Sequence, residues 1–281
     1  MQDRRFIQCD VFTSVPTQGN ALAVVVDGEG VSDAQMKLFA AWTNLAETTF
    51  LLPPTDPAAD YKVRILTPSR EMLFAGHPTL GSCAVWLKMG GKPKQPGVVR
   101  QECGVGIVDI DITREVPAFV APPTTIEPLT DESFQKIIKV LNIDPATVVR
   151  TAKLDNGPVW QVLELASAEA VLVVDSSLVR WPMFKAIGLI GPHPAGSECD
   201  YEVRMLAPSS GMSEDPITGS LNSALAHWMM EGGRLESDLL IAQGTTINRQ
   251  GRIYISPDKS LPGRVLIGGH TQMLIEGTVR L

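Results

Sequence analysis

Two short, related stretches of the sequence carry side chains that could do acid–base chemistry. Residues 214–220 read Glu-Asp-Pro-Ile-Thr-Gly-Ser, and residues 76–82 read Gly-His-Pro-Thr-Leu-Gly-Ser. In each stretch a titratable side chain, Asp215 or His77, stands directly before a proline. Because proline is favoured at the first position of a helix, this spacing predicts that Asp215 and His77 are N-cap residues. A helix N-terminus carries unpaired N–H groups and a partial positive charge, so we expect a small carboxylate to bind there.

A purely structural interpretation of these two residues stays open. Aspartate is among the best N-cap residues, so Asp215 could do no more than cap its helix. His77 is a poor cap by residue preference, and its matching place favours a functional role. The glycines that follow, Gly81 and Gly219, are expected to let a ligand approach the first helical turn.

Glu47 is a third candidate for acid–base work. It stands where a predicted helix ends and an apolar strand begins, among Leu45, Ala46 and Phe50. Partial desolvation by such neighbours would raise the pKa of the carboxyl towards that of a working acid or base. The alternative is a solvated glutamate at the end of a helix.

The elements that must position these residues come from an internal repeat. Residues 61–69 and 201–209 are identical at six of nine positions, and the two segments lie 140 positions apart in a chain of 281 residues. The sequence is therefore interpreted as one unit used twice. The second copy is two residues shorter before the motif, so the alignment sets His77 against Asp215.

Local patterns predict the same order of elements in both halves. Residues 79–89 and 216–231 are apolar nearly all round, and a helix without a polar face must be buried on all sides. Small β units wrapped around one central helix satisfy this pattern. Other predicted elements include a helix capped by Ser32 and ending at Asn44, a strand at 170–174 and a short helix at 176–186.

Composition narrows the range of functions. The net charge is −7, and no Lys/Arg run opposes it, so we expect no nucleic-acid partner. No run of about 18 apolar residues suggests a membrane span, and no apolar signal stretch follows the N-terminus. We therefore expect a cytoplasmic protein. The four cysteines lack metal-ligand spacing, so no metal site is predicted.

Four segments together resemble the signature of the PhzF-like (phenazine biosynthesis protein) family, within the diaminopimelate epimerase-like superfamily. They are residues 19–25, 44–50, 76–81 and 214–220, and residues 243–244 and 267–269 continue the likeness. The resemblance spans essentially the whole chain. One departure is Ala21, which stands where the family motif has proline and is expected to alter a turn rather than the chemistry.

The resemblance implies an α+β fold of two pseudo-symmetric domains, each a β barrel-like sheet wrapped around a central apolar helix. The active site is expected in the cleft between the domains. With this fold we expect an N-terminal domain of residues 1–116, completed by the last strand at 270–281, and a C-terminal domain of residues 117–269. A homodimer is a further expectation from the family.

The resemblance also implies roles for single residues. Glu47 corresponds to the catalytic acid/base, with His77 and Asp215 as further catalytic residues. Substrate-binding roles fall on residues at the two motifs, namely Gly76, Gly219 and Ser220. Related epimerases and proline racemases use two cysteines at the helix ends, and other residues stand in those places here.

The leading hypothesis is a cofactor-independent isomerase that moves a proton between carbons of a small carboxylic acid. Glu47 would remove the proton and return it on the same face, since one base suffices for such a shift. A two-base epimerase or racemase of a small amino or hydroxy acid is one alternative. A non-catalytic protein that binds a small ligand or a partner on the same fold is another.

Overall fold

A computed structural model describes residues 1–208, 212–259 and 261–281. Its contacts divide the chain into two compact units. Unit 1 comprises Met1–Val120 and Gly268–Leu281, and unit 2 comprises Ala121–Ile267. The chain therefore leaves unit 1, builds unit 2 and returns to unit 1 for its last strand.

The described residues form 18 strands and five α-helices. The strands are β1 (Asp3–Val11), β2 (Asn20–Val25), β3 (Glu47–Leu52), β4 (Tyr61–Leu66), β5 (Glu71–Met72), β6 (Val98–Cys103), β7 (Gly106–Asp111), β8 (Ala118–Val120), β9 (Thr125–Glu127), β10 (Val148–Asp155), β11 (Val159–Leu165), β12 (Ile187–Pro192), β13 (Tyr201–Leu206), β14 (Glu214–Asp215), β15 (Leu239–Gln243), β16 (Gly251–Pro257), β17 (Val265–Gly268) and β18 (Thr271–Arg280). The helices are α1 (Asp33–Thr43), α2 (Gly76–Lys88), α3 (Asp131–Val140), α4 (Ala168–Leu172) and α5 (Gly219–Glu231).

Strand pairing repeats between the units. In unit 1 the neighbours run β18, β1, β2, β3, β4, β6, β7 and β8, with parallel pairs only at β2–β3 and β4–β6. In unit 2 they run β9, β10, β11, β12, β13, β15 and β16, with parallel pairs only at β11–β12 and β13–β15. Both strand orders are those of the described residues. The last strand, β18, takes beside β1 the place that β9 takes beside β10.

Each unit has one central apolar helix, as the sequence predicts. Nine of the 13 residues of α2 are buried, and eight of the 13 residues of α5 are buried. A Cβ at Gly81 would lie 2.5 Å from Leu22 Cδ2 and 2.9 Å from Val11 Cγ2. Gly81 therefore lets α2 pack closely against β1 and β2, a packing role that the sequence did not predict.

Helix α1 agrees with its sequence prediction. The Ser32 hydroxyl accepts a hydrogen bond from the backbone N–H of Gln35, and the Gln35 side chain bonds back to the Ser32 N–H. This capping box satisfies two of the donors that a helix start leaves unpaired. The helix ends at Asn44, which has a left-handed conformation with φ of 54°.

The prediction of a strand at residues 170–174 is wrong. The segment forms α4, and the Ser167 hydroxyl caps it by accepting a hydrogen bond from the Ala170 N–H. The reason is topological: β11 and β12 pair in parallel, and parallel strands need a crossover connection between them. The short helix predicted at 176–186 reduces to a single 3₁₀ turn at Ser176–Leu178.

Candidate active site

Glu47 is the first residue of β3. Helix α1 ends just before it, and the parallel pairing with β2 sets Glu47 opposite Leu22. Its side chain is 17% exposed, so most of the carboxylate region is shielded from water. The junction of helix and strand therefore holds the carboxylate at a partly desolvated position, which is one of the two alternatives that the sequence left open.

His77 lies beside Glu47 in unit 1. The distance from His77 Nε2 to Glu47 Oε2 is 3.3 Å, and the two atoms are not aligned as a hydrogen bond. Burial lowers the pKa of His77 to about 3, because a charged imidazole would lose its hydration. The contact is therefore that of a neutral imidazole beside a carboxyl group, and it is not an ion pair at neutral pH.

The predicted N-cap role of His77 is wrong. The N-cap residue of α2 is Ala75, which has extended backbone angles and no side chain able to cap. Gly76 is the first helical residue and His77 the second, and both are buried. Ala75 makes no side-chain cap hydrogen bond, and the first N–H groups of a helix have no partner within the helix itself.

Asp215 occupies a different kind of position in unit 2. It belongs to β14, opposite Met205, and α5 begins only at Gly219, with Thr218 as its N-cap residue. The predicted N-cap role of Asp215 and the predicted helix start at Pro216 are therefore both wrong. The reason is local pairing, since residues 214–215 join the edge of β13 as a short strand.

The carboxyl group of Asp215 is held by the helix start. Its Oδ2 accepts a hydrogen bond from the Thr218 hydroxyl. Although part of the residue remains accessible to solvent, burial of the carboxyl raises the pKa of Asp215 to about 6. The hydrogen bond from Thr218 opposes that rise, and the nearby negative charge of Glu214 adds to it. Asp215 can therefore carry or release a proton near neutral pH.

The structure matches the residues of the two units differently from the sequence alignment, because the short strand and the central helix are spaced equally in both units. Three residues separate β5 from α2, three separate β14 from α5, and both helices have 13 residues. Gly76 thus corresponds to Gly219, and His77 corresponds to Ser220. Asp215 then corresponds to Met72, so the alignment of Asp215 with His77 is wrong.

An ion pair in each unit supports this correspondence. Arg64 in β4 pairs with Glu71 in β5, and Arg204 in β13 pairs with Glu214 in β14. The two short strands are therefore held to their neighbours in the same way.

The predicted site residues thus fall into one group per unit. Unit 1 brings together Glu47, Gly76 and His77. Unit 2 places Asp215 four residues before Gly219, the first residue of α5, and Ser220 is the second residue of that helix. The Ser220 carbonyl accepts a hydrogen bond of 2.8 Å from Asn156 Nδ2, which fixes the first turn of the helix.

One residue at this site has no role in the sequence prediction. Gln243, at the end of β15, is fully buried beside the start of α5. Its Nε2 donates to Thr218 Oγ1 at 3.0 Å, and its Oε1 accepts from Thr218 N at 3.1 Å. Two signals in the sequence point to Gln243: it matches Gln101 when the internal repeat is extended, and residues 243–244 belong to the family likeness.

The described parts of the chain contain neither a metal-binding cluster nor a membrane-spanning helix. There, no cluster of three or more His, Cys, Asp or Glu side chains is placed to hold a metal ion. Likewise, none of the described helices has the length and apolar character that crossing a membrane requires.

Comparison with known proteins gives consistent similarities. The family model described as phenazine biosynthesis-like protein matches residues 9–277. The chain is 32% identical to antisense-enhancing sequence 1 of Schizosaccharomyces pombe, over 99% of each chain. It is 28% identical to trans-2,3-dihydro-3-hydroxyanthranilate isomerase of Pseudomonas fluorescens, over 98% of this chain and 99% of that one.

A solved structure shares the fold. The crystal structure of the Bacillus anthracis phenazine biosynthesis protein of the PhzF family superposes with a TM-score of 0.84. The superposition covers 100% of both chains at 19% identity. The predicted fold class, an α+β arrangement of two similar halves around central helices, is confirmed.

Proposed function

We infer the reaction of this chain from its family, since the chain belongs to the phenazine biosynthesis-like proteins. The chain is an isomerase, as two of its relatives over nearly the full length are named. A non-catalytic binding protein, one of the alternatives from the sequence, is therefore set aside.

We propose that the enzyme moves a proton between two carbons of a small carboxylic acid without a cofactor. Glu47 acts as the general base that removes the proton and as the acid that returns it. The observation that carries this proposal is the contact of 3.3 Å between Glu47 Oε2 and His77 Nε2. A carboxylate that is only 17% exposed, with a neutral imidazole beside it, suits proton transfer better than an exposed glutamate would.

The other site residues bind the substrate and assist the transfer. Gly76 and His77 stand at the N-terminus of α2, where backbone N–H groups attract a carboxylate. Gly219 and Ser220 stand at the corresponding end of α5. Asp215, whose pKa of about 6 lies near neutral pH, is the second group able to exchange a proton. We propose that both sets act on one substrate in a cleft between the halves.

The first test uses the full chain and trans-2,3-dihydro-3-hydroxyanthranilate, the substrate that the Pseudomonas fluorescens relative is named for. Product formation in deuterated water is followed by NMR, together with related small cyclic acids. We expect Glu47→Gln to lower turnover by at least about 10²-fold, the lower range for a lost general acid–base group. Glu132→Gln, on the exposed face of α3, is the matched control.

Two outcomes would contradict the role of Glu47. Turnover by a folded Glu47→Gln variant at the wild-type rate would exclude it as the acid/base. An equal loss of turnover in Glu132→Gln would show that the assay does not report on the site.

A two-base epimerase or racemase is the second candidate. The observation that favours it is the second titratable group, Asp215, in the other unit. That reaction would exchange deuterium at a stereocentre without moving a double bond, whereas the isomerase would give a product of different connectivity. The same NMR experiment separates the two.

Three further expectations are part of the proposal. We propose a homodimer in the cytoplasm that binds no nucleic acid. We also propose that residues 1–116, with the last strand at 270–281, and residues 117–269 are the two halves that contribute to the site.

A further inference from the structure

A chain of buried hydrogen bonds leads from Gln243 to the carboxyl group of Asp215. Gln243 Nε2 donates to Thr218 Oγ1 at 3.0 Å, and the Thr218 hydroxyl donates to Asp215 Oδ2. Gln243 is fully buried, and Thr218 is 8% exposed. Water therefore has little access to the first of these bonds, so each partner depends on the other.

The direction of this chain follows from the partners of Gln243. Its Oε1 accepts from Thr218 N at 3.1 Å and from Asn222 Nδ2 at 2.9 Å. An amide oxygen that faces two donors fixes the orientation of the amide, so Nε2 must face Thr218 Oγ1. A hydroxyl has one hydrogen, and having accepted from Gln243 it directs that hydrogen to Asp215. The backbone of Asp215 is held as well, since its carbonyl accepts from Gln243 Nε2 at 3.4 Å.

Unit 1 contains a similar brace without an acid at its end, although its threonine, Thr79, lies inside the first turn of α2 and corresponds to Asn222 rather than to Thr218. Gln101, which matches Gln243, is also fully buried. Its Nε2 donates to Thr79 Oγ1 at 3.0 Å, and the Thr79 hydroxyl donates to the carbonyl of Ala75 at 2.9 Å. The helix start is thus supported in both units, but only in unit 2 does the chain reach a carboxylate. Support of the helix alone does not require Asp215.

We propose that Gln243 and Thr218 are positioning residues that orient the carboxyl group of Asp215 and favour its ionised form. The proposal rests on the role of Asp215 in the proposed function. Physically, a hydrogen bond to a carboxylate stabilises the charged form, and it offsets part of the cost of burying that charge. A fixed hydroxyl also holds Oδ2 in one direction, which is what a group that exchanges a proton with a bound substrate needs.

The first test measures the ionisation of Asp215 without any substrate. The full chain is labelled with ¹³C at aspartate Cγ, and the Asp215 signal is identified by its absence in Asp215→Asn. We expect Thr218→Val to raise the midpoint of the Asp215 titration by about one pH unit, the size expected for one lost hydrogen bond to a charged group. Thr218→Ser keeps the hydroxyl and is expected to restore the wild-type midpoint.

Gln243→Leu and Gln101→Leu form the matched pair. Both remove a buried amide that supports a helix start, so both are expected to lower the melting temperature. Only Gln243→Leu is expected to raise the midpoint of Asp215. An unchanged midpoint in Thr218→Val, or an equal shift in Gln101→Leu, would overturn the proposal. If Gln243→Leu does not fold, the Thr218 variants still decide the outcome.

A second readout separates this inference from the proposed function. The pH dependence of kcat for trans-2,3-dihydro-3-hydroxyanthranilate is measured in wild type and Thr218→Val, and we expect the limb that reports Asp215 to move with the NMR midpoint. If the NMR midpoint shifts and this limb does not, the positioning of Asp215 for catalysis is overturned and only its ionisation remains linked to Thr218. If the wild type does not convert this acid, the proposed function fails for that substrate, and the NMR result still decides whether Thr218 and Gln243 control Asp215.

Discussion

Burial shifts the pKa of His77 and the pKa of Asp215 in opposite directions, and in both residues it favours the uncharged form. It lowers the pKa of His77 to about 3 and raises that of Asp215 to about 6. A charged group loses hydration when it is buried, whereas a neutral one loses much less. At pH 7 His77 is therefore neutral, and Asp215 keeps a measurable protonated fraction.

The shift of His77 predicts a dependence of stability on pH. Between about pH 6.5 and pH 3 the unfolded chain binds a proton at this position that the folded chain does not, so the free energy of unfolding falls as the pH falls. Between pH 7 and pH 4.5, we expect the free energy of unfolding of His77→Gln to fall by about 2 kcal/mol less than that of the wild type. Urea unfolding at the two pH values measures this difference.

His270→Gln serves as the control for that measurement, since His270 lies outside the candidate site. The free energy of unfolding of this variant is expected to change between the two pH values by as much as that of the wild type. Equal acid sensitivity in all three proteins would show that burial of His77 is not linked to folding.

At the level of elements, one arginine joins β13, β14 and α4. Arg204 is 2% exposed and pairs with Glu214 through both Nε and Nη2, at 3.0 Å and 2.6 Å. Its Nη1 donates to the carbonyls of Val171 at 3.0 Å and Val174 at 2.6 Å, at the end of α4. The pair therefore fixes the strand that contains Asp215.

Arg64 offers a comparison within the same chain. It pairs with Glu71 and Asp33, but those partners are 38% and 72% exposed. We expect Arg204→Met to lower the free energy of unfolding by about 3–5 kcal/mol, because it leaves a buried carboxylate without its partner. Arg64→Met is expected to cost about 1 kcal/mol or less, since exposed pairs are screened by water.

Chemical denaturation of the two variants checks this difference. If both variants lose the same free energy of unfolding, burial does not make the Arg204–Glu214 pair more stabilising than the exposed pairs of Arg64.

The sequence predicted these elements well where the pattern was local. The helix cap at Ser32 and the two apolar central helices needed only neighbouring residues. The strand at 170–174 and the helix starts at the two motifs depended on pairing with distant strands, and a short apolar segment does not reveal its partner. Thr218, rather than Asp215, is the N-cap residue of α5 because β14 holds residues 214–215 extended.

At the level of the whole molecule, we expect two chains to form a dimer by pairing their β18 strands. Strand β18 pairs with β1, and Leu274 and Ile275 are 38% and 51% exposed. Exposed apolar edge strands tend to pair with another chain. A twofold register centred on Gly277 would set Ile275 against Val279 and keep the two Glu276 carboxylates apart. Among the described residues, no atom lies within 4 Å of the position that a Cβ at Gly277 would take.

We expect light scattering to give twice the mass of one chain for the wild type. Ile275→Arg should shift the protein towards the monomer, because the charge would be buried in the paired edge. Val149→Arg, at an exposed position of β10, is the control. A monomeric wild type, or an undisturbed dimer in Ile275→Arg, would exclude this interface.

Residue types and spacing by themselves determined that the chain is built twice, that each half has a buried central helix, and that Glu47, His77 and Asp215 are the acid–base candidates. Those conclusions rest on repeats and short patterns, which the linear sequence contains. Only the tertiary structure decided that His77 corresponds to Ser220, that Asp215 lies in a strand, and that hydrogen bonds link Gln243 to it through Thr218. Gln243 lies 25 positions from Thr218, and a hydrogen bond over that separation exists only when β15 folds back beside the start of α5.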